Sequence, residues 1–135
     1  MSAIKKALSQ LLVELPEKVT LVAVSKTKPA TAIAEAYSYG QRDFGENKVQ
    51  ELVEKWETLP KDINWHMIGH LQRNKVKYIA PFVHLIHGID SLRLLEEVNR
   101  QGAKIGRKIA VLLQVHIAEE ETKFGLDTSE LETIF

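Results

Sequence analysis

With 135 residues, 44% hydrophobic content and equal numbers of basic and acidic side chains, 18 of each, the chain has the composition of a globular protein, and we expect residues 1–135 to form a single domain. Zero formal net charge gives no reason to expect nucleic acid or an anionic membrane surface as a partner. The lack of cysteine excludes disulfides, thiolate nucleophiles and cysteine-ligated zinc. No apolar run approaches the roughly 18 residues of a membrane span and the first residues form no signal-peptide pattern, so we expect a cytoplasmic location.

Short β-like runs alternate with longer helical patterns along the chain. The predicted strands cover residues 19–24, 43–45, 64–68, 84–88 and 108–117, and the predicted helices begin near Ile4, Ala30, Val49, Asn74, Leu92 and Ser129. This alternation is typical of βαβ units and a parallel sheet. Five units would complete a doubly wound sheet but form little more than half of a (β/α)8 barrel.

The pattern stops inside a helical segment, which favours the incomplete barrel over the complete doubly wound sheet. The first and fifth strands would then be sheet edges without a neighbour, and unpaired edges are sites of association between chains. We therefore expect this chain to self-associate.

A lysine follows the first predicted strand. The apolar run from Val19 to Val24 lacks strict alternation, which is typical of a strand covered on both faces. Lys26 then lies at the carboxyl end of the strand, where open sheets and barrels bind ligands. The ammonium of Lys28, together with partial burial, would make the free amine of Lys26 more available for a Schiff base with an aldehyde, of which pyridoxal phosphate is the commonest cofactor example. The alternative is a lysine that only marks where the strand meets water.

The segment from Phe44 to Glu51 follows the second strand at the same end of the sheet. Gly45 allows a tight turn there. Asn47 has two interpretations: it caps the next helix, with Gln50 completing an arrangement similar to a capping box, or it faces the same cleft as Lys26 and lies beside a bound ring.

A third cluster runs from Trp65 to Lys75. Its two histidines, His66 and His70, are four residues apart, but Gly69 and the strand pattern interrupt a shared helical face, so we predict no metal site. The basic segment, residues 70–77, would suit a phosphate, a nucleic-acid backbone or plain solvation. Nucleic acid is the weakest of these because aromatic residues are not interleaved with the basic ones.

Past the fifth strand, three adjacent acids precede Lys123. If the barrel prediction holds, Lys123 lies at the ligand-binding rim and is a second candidate for capturing an anion or an aldehyde. Elsewhere the sequence contains no glycine-rich phosphate loop, serine elbow or catalytic dyad, and we assign no catalytic residue.

Together these clusters resemble the pyridoxal phosphate homeostasis protein family. Three motifs carry the resemblance in the same order: Ala23-Val24-Ser25-Lys26-Thr27-Lys28-Pro29, Phe44-Gly45-Glu46-Asn47-x-Val49-Gln50-Glu51 and Trp65-His66-x-Ile68-Gly69-His70-Leu71-Gln72-x-Asn74-Lys75. The resemblance implies an α/β fold, a (β/α)8 TIM-type barrel like the N-terminal domain of alanine racemase, incomplete here with about five βα units. It also implies that Lys26 forms a Schiff base with pyridoxal 5'-phosphate and that Asn47 lies beside the cofactor.

The resemblance further implies a protein that carries or buffers pyridoxal phosphate and affects the balance of amino acids and keto acids, with no established turnover and with pyridoxal-dependent enzymes as recipients. The alternatives are a racemase-like pyridoxal-dependent enzyme and a nucleic-acid or protein interaction module that uses residues 70–77. Family members are longer, and their later strands hold the cofactor phosphate, so we expect a truncated domain that binds the cofactor more weakly than a full-length relative.

Overall fold

Five strands alternate with helices over the residues that the computed structural model describes, 2–115 and 125–134. The strands are β1 (Ala23–Val24), β2 (Asp43–Glu46), β3 (Asn64–Met67), β4 (Leu85–Ile89) and β5 (Ala110–Leu113). The helices are α1 (Ala3–Glu14), α2 (Ala30–Ser38), α3 (Val49–Thr58), α4 (Val76–Ile79), α5 (Leu92–Lys104) and α6 (Thr128–Ile134), and a 3-10 turn at Arg73–Lys75 leads into α4. None of the described helices is long and apolar enough to cross a membrane.

The strands are parallel, and their order in the sheet follows their order in the chain, β1-β2-β3-β4-β5. A doubly wound sheet reverses its strand order at a switch point, whereas consecutive βα units of a barrel pair each strand with the next one. The sheet therefore corresponds to five consecutive strands of a (β/α)8 barrel, and the prediction of a partial barrel is confirmed.

Local chemistry explains where several helices begin and end. Ser2 and Ser91 cap α1 and α5 with their side chains, which accept hydrogen bonds from the backbone N–H groups of Lys5 and Leu94 at 3.0 and 3.1 Å. Gly40, with a φ of 103°, turns the chain just after α2. Ser91 is thus the N-cap of α5.

The core lies between the sheet and its helices. Phe44, Trp65 and Ile86 project from three neighbouring strands into it, and Leu52 of α3 and Leu94 of α5 cover them. Side chains alternate along a strand, so on each strand the residues on either side of these core residues project to the opposite face of the sheet. That face is the interior side of the barrel. That alternation separates an apolar core on the helix side from a polar group of residues on the interior side.

The two outer strands differ from the prediction. The first strand was expected over residues 19–24 and covered on both faces, but only Ala23–Val24 is in the sheet, and Val19 and Val24 are 50% and 55% exposed. Within the described residues β1 pairs only with β2, so nothing covers its outer edge. The fifth strand was expected to be the longest, at 108–117; its described part is Ala110–Leu113, shorter than β4, and residues 116 and 117 lie outside the described residues.

A matched pair of leucines tests the position of the core. Leu52 is 0% exposed and Leu12 is 51% exposed, although both lie on amphipathic helices. We expect Leu52→Ala to lower the free energy of unfolding by about 2–5 kcal/mol, because it leaves a cavity, and Leu12→Ala to lower it by less than about 1 kcal/mol. Urea denaturation followed by tryptophan fluorescence measures both; equal effects would contradict the packing described here.

Candidate functional site

The carboxyl ends of the strands bring the three motifs to one edge of the sheet. Lys26 follows β1 and Asn47 follows β2, and these strands pair directly, with Val24 opposite Gly45. Past β3, β4 and β5, a cavity of about 170 Å³ is lined by Ile68, Gly69, His70, Gly88, Asp90 and Gln114. This edge is the end of a barrel at which ligands bind.

Lys26 lies on a tight turn immediately after β1. Ser25 is buried and its N–H donates to the carbonyl of Gly45 at 2.9 Å, while the N–H of Lys28 donates back to the carbonyl of Ser25 at 3.0 Å. Thr27 has a φ of 63°, a left-handed conformation that is unusual for a β-branched residue. Lys26 itself is exposed, so the expectation that it is partly buried is wrong; the edge strand that carries it has no neighbour on its outer side within the described residues.

A buried set of charges holds this turn, and we call it the Lys55 network: Ser25, Glu46, Glu51 and Lys55, with the N–H of Thr27. The Lys55 ammonium donates to the carbonyl oxygen of Ser25 at 2.8 Å and to one carboxylate oxygen of Glu46 and one of Glu51, each at 2.9 Å. The Ser25 hydroxyl donates to the same Glu46 oxygen, and the Thr27 N–H donates to the same Glu51 oxygen at 2.6 Å.

The charges of the Lys55 network are mostly removed from water. The side chains of Glu46, Lys55 and Glu51 are 0%, 9% and 26% exposed. Burial raises the pKa of Glu46, an effect that the hydrogen bonds from Ser25 and Lys55 oppose, and the hydrogen bond from Lys55 lowers the pKa of Glu51.

Sequence reasoning missed this network, although two signals were present. Glu51 and Lys55 are four residues apart, the spacing of a helical ion pair, and Lys55 lies three residues after Leu52 on the buried face of α3. A lysine on the apolar face of a helix predicts either a buried partner or a snorkelling side chain.

Asn47 does not cap α3. The N-cap is Lys48, which makes no side-chain cap hydrogen bond, so the capping interpretation of Asn47 is wrong. Its backbone instead packs against Gly69: a Cβ at Gly69 would lie 2.7 Å from the carbonyl oxygen of Asn47 and 2.9 Å from its Cα. Asn47 also lines a groove of about 590 Å³ along α3 and α4, and Lys26 is not among the residues that line it.

A group of histidines lies on the interior face of the sheet. His66 makes two contacts there, from Nε2 to an Asp43 carboxylate oxygen at 2.8 Å and from Nδ1 to Nε2 of His87 at 2.9 Å. Burial, and then the neighbouring His66, lower the pKa of His87. The potential ligand atoms of Asp43, His66 and His84 lie within 4.8 Å of one another, close enough to surround a cation. Sequence reasoning compared His66 with His70 instead, because Asp43, His66 and His84 come from three separate segments: β2, β3 and the residue before β4.

The basic segment, residues 70–77, follows β3 and runs through the 3-10 turn into the first residues of α4. His70 is 3.5 Å from the carboxylate of Asp90, and the ammonium groups of Lys75 and Lys77 lie 5.7 and 5.2 Å from the centroid of the exposed Tyr78 ring. These charges therefore have partners within the fold. Lys123, the other predicted candidate, lies outside the described residues.

Comparison with known proteins agrees with the fold and the motifs. Residues 1–135 match the family model described as alanine racemase, N-terminal domain. The chain belongs to this family. Within it, the match is to the pyridoxal phosphate homeostasis proteins, as the three motifs predicted: the Escherichia coli K12 protein of that name is 44% identical over 123 residues, and the human one is 44% identical over 119 residues.

Similar solved structures include two of PipY from Synechococcus elongatus PCC7942, one without and one with bound pyridoxal phosphate. They share 41% sequence identity with this chain, cover 96% of it and superpose with TM-scores of 0.88 and 0.85. Alanine racemase from Enterococcus faecalis, at 18% identity and a TM-score of 0.73, shares the fold. The chain spans 53% of the length of the E. coli relative, 43% of the human one and 61% of PipY.

Two glycines at this edge provide a test of how closely the second and third motifs pack. Neither Gly69 nor Gly88 has a positive φ, but a Cβ at Gly69 overlaps the Asn47 backbone, whereas a Cβ at Gly88 meets its nearest atoms at 3.5 and 3.6 Å. We expect Gly69→Ala to lower the free energy of unfolding by about 1–3 kcal/mol and Gly88→Ala by less than about 1 kcal/mol. Chemical denaturation measures both, and a tolerated Gly69→Ala would contradict the close contact.

Proposed function

We propose that this chain binds pyridoxal 5'-phosphate through the amine of Lys26 and acts in pyridoxal phosphate homeostasis as a carrier or buffer. The observation that carries the proposal is the position of Lys26. It leaves the sheet at the carboxyl end of β1, on a turn fixed by its neighbours, in a fold shared with a PipY structure that has pyridoxal phosphate bound.

The residues present fit such a cofactor. Lys26 is exposed, and within the described residues its ammonium makes no hydrogen bond or ion pair, so the amine is accessible to an aldehyde. The cofactor supplies that aldehyde: the amine nitrogen bonds to its carbon, and the carbonyl oxygen leaves as water. Asn47, which leaves the adjacent strand, has an amide that would lie beside the ring.

We further propose that the chain alone binds the cofactor weakly and reversibly. A Schiff base in contact with water hydrolyses, and charge-assisted hydrogen bonds to a phosphate are among the strongest a protein makes. The chain spans about half the length of the curated relatives it matches, and the family resemblance assigns the phosphate contacts to later strands. Retention then rests mainly on Lys26.

A homeostatic role differs from catalysis by what happens after binding. Carriage needs one reversible bond to Lys26, whereas racemisation needs an acid and a base on opposite faces of the ring. The proposal assigns no residue to that second task. Recipient enzymes, a cytoplasmic location and a single domain over residues 1–135 remain predictions that accompany it.

Reduction with borohydride tests the role of Lys26. With pyridoxal phosphate added, we expect borohydride to fix the label mainly on Lys26, and we expect Lys26→Ala to lose most of it, while the matched variant Lys28→Ala keeps it. Peptide mass spectrometry locates the label. Labelling spread evenly over exposed lysines, or unchanged in Lys26→Ala, would contradict the site, and racemisation of alanine by the purified chain would contradict the non-enzymatic role.

We also propose that the chain self-associates through its exposed sheet edge. Within the described residues β1 has one neighbour, and Val24 on it is 55% exposed. We expect sedimentation velocity to show association that increases with concentration, and Val24→Lys, which places a charge on the edge, to weaken it. A monomer at every concentration would refute this proposal.

A further inference from the structure

The Lys55 network contacts the chain on both sides of Lys26. Before it, the carbonyl of Ser25 accepts from Lys55 at 2.8 Å; after it, the N–H of Thr27 donates to Glu51 at 2.6 Å. Among the described residues, the network makes no hydrogen bond or ion pair with the Lys26 side chain itself. Its contacts therefore act on the two peptide units that set the direction of the Lys26 side chain.

Stability alone does not account for such an arrangement. Glu46 is fully buried and one of its oxygens has no hydrogen-bond partner among the described residues, while Lys55 is also buried. Taking both charges out of water costs several kcal/mol, and apolar residues of similar volume are often as stabilising as a buried ion pair. What the network provides that apolar residues cannot is two directed hydrogen bonds with the backbone, from Lys55 to the Ser25 carbonyl and from the Thr27 N–H to Glu51.

The turn also needs to be held. Thr27 has a φ of 63°, and a conformation of this kind in a residue other than glycine costs of order 1–3 kcal/mol. Such a conformation persists only where surrounding contacts enforce it. The bonds from Glu51 to Thr27 and from Lys55 to Ser25 are contacts of that kind.

We propose that Glu51 and Lys55 are positioning residues for Lys26: anchored by Glu46, they hold the Ser25–Lys28 turn so that the Lys26 amine, rather than that of Lys28, is presented to the aldehyde at the carboxyl end of β1. The inference deepens the proposed function and rests on it, since it explains how one of two exposed lysines, two residues apart, is selected. Neither residue touches the aldehyde; both act through the backbone.

Glu51 is the residue to change, because its side chain is partly exposed and its loss leaves Lys55 bonded to Ser25 and Glu46. Glu51→Ala removes the acceptor for the Thr27 N–H, whereas Glu51→Gln retains an oxygen acceptor at the same distance along the side chain. Glu57→Ala is the matched control, since Glu57 is an exposed glutamate on the same helix. Circular dichroism and urea denaturation check that each variant is folded.

Two readouts are measured on each variant. The first is the ratio of pyridoxal phosphate label on Lys26 to that on Lys28 after borohydride reduction. We expect Glu51→Ala to lower this ratio roughly fivefold, the effect of one lost hydrogen bond, and we expect Glu51→Gln and Glu57→Ala to stay near the wild-type value. The second, which needs no cofactor, is amide hydrogen exchange at Thr27, which we expect to accelerate in Glu51→Ala alone.

The outcomes separate the inference from the proposed function. A wild-type chain that prefers Lys26, together with a Glu51→Ala variant that shows the same ratio and the same Thr27 exchange, would overturn the positioning role while leaving the proposed function intact. A wild-type chain with no preference for Lys26 would overturn both. A loss in Glu51→Ala that Glu51→Gln restores would support positioning over a general loss of stability.

Discussion

Parallel pairing of each strand with the next strand along the chain is the constraint on which the rest of the structure depends. Because the strands run in one direction, their carboxyl ends meet at one edge, and every motif that follows a strand is delivered to that edge. Lys26, Asn47 and Gly69 are far apart in the sequence but leave three adjacent strands there. The same pairing brings Asp43 of β2 and His66 of β3 together, with His84, just before β4, close to both.

The Lys55 network fixes the turn that carries Lys26 through directed hydrogen bonds. An apolar core stabilises the compact state but fixes a surface turn only indirectly, since dispersion has no direction. The ammonium of Lys55 contacts one carbonyl and two carboxylates within 2.9 Å, which restricts α3, β2 and the turn after β1 relative to one another. The Glu46 oxygen that has no hydrogen-bond partner among the described residues opposes folding, because it was taken out of water without a replacement donor.

The sequence allowed the strand order and the helix positions to be predicted, because each depends on neighbouring residues or on a short period. The predictions failed for features that depend on contacts between residues far apart in the sequence. The apolar run from Val19 to Val24 predicts a strand that is covered on both faces, yet Val19 and Val24 are about half exposed. The hydrophobic pattern of one segment does not indicate whether another element is present to cover it. The contact of Lys55 with Glu46 also crosses from a helix to a strand, and only the turn between them brings the two together.

The exposed edge of β1 connects the two proposals, self-association through that edge and cofactor binding at Lys26. Val24 and Lys26 are both exposed, and no strand lies on the outer side of β1 in the described residues. If Lys26 bonds the cofactor as proposed, a neighbour on that side, such as a second copy of the chain, would exclude water from that bond, which water hydrolyses. By linkage, whatever covers the edge then binds the cofactor-loaded chain more tightly than the empty one, and the cofactor in turn favours the covered state to the same degree.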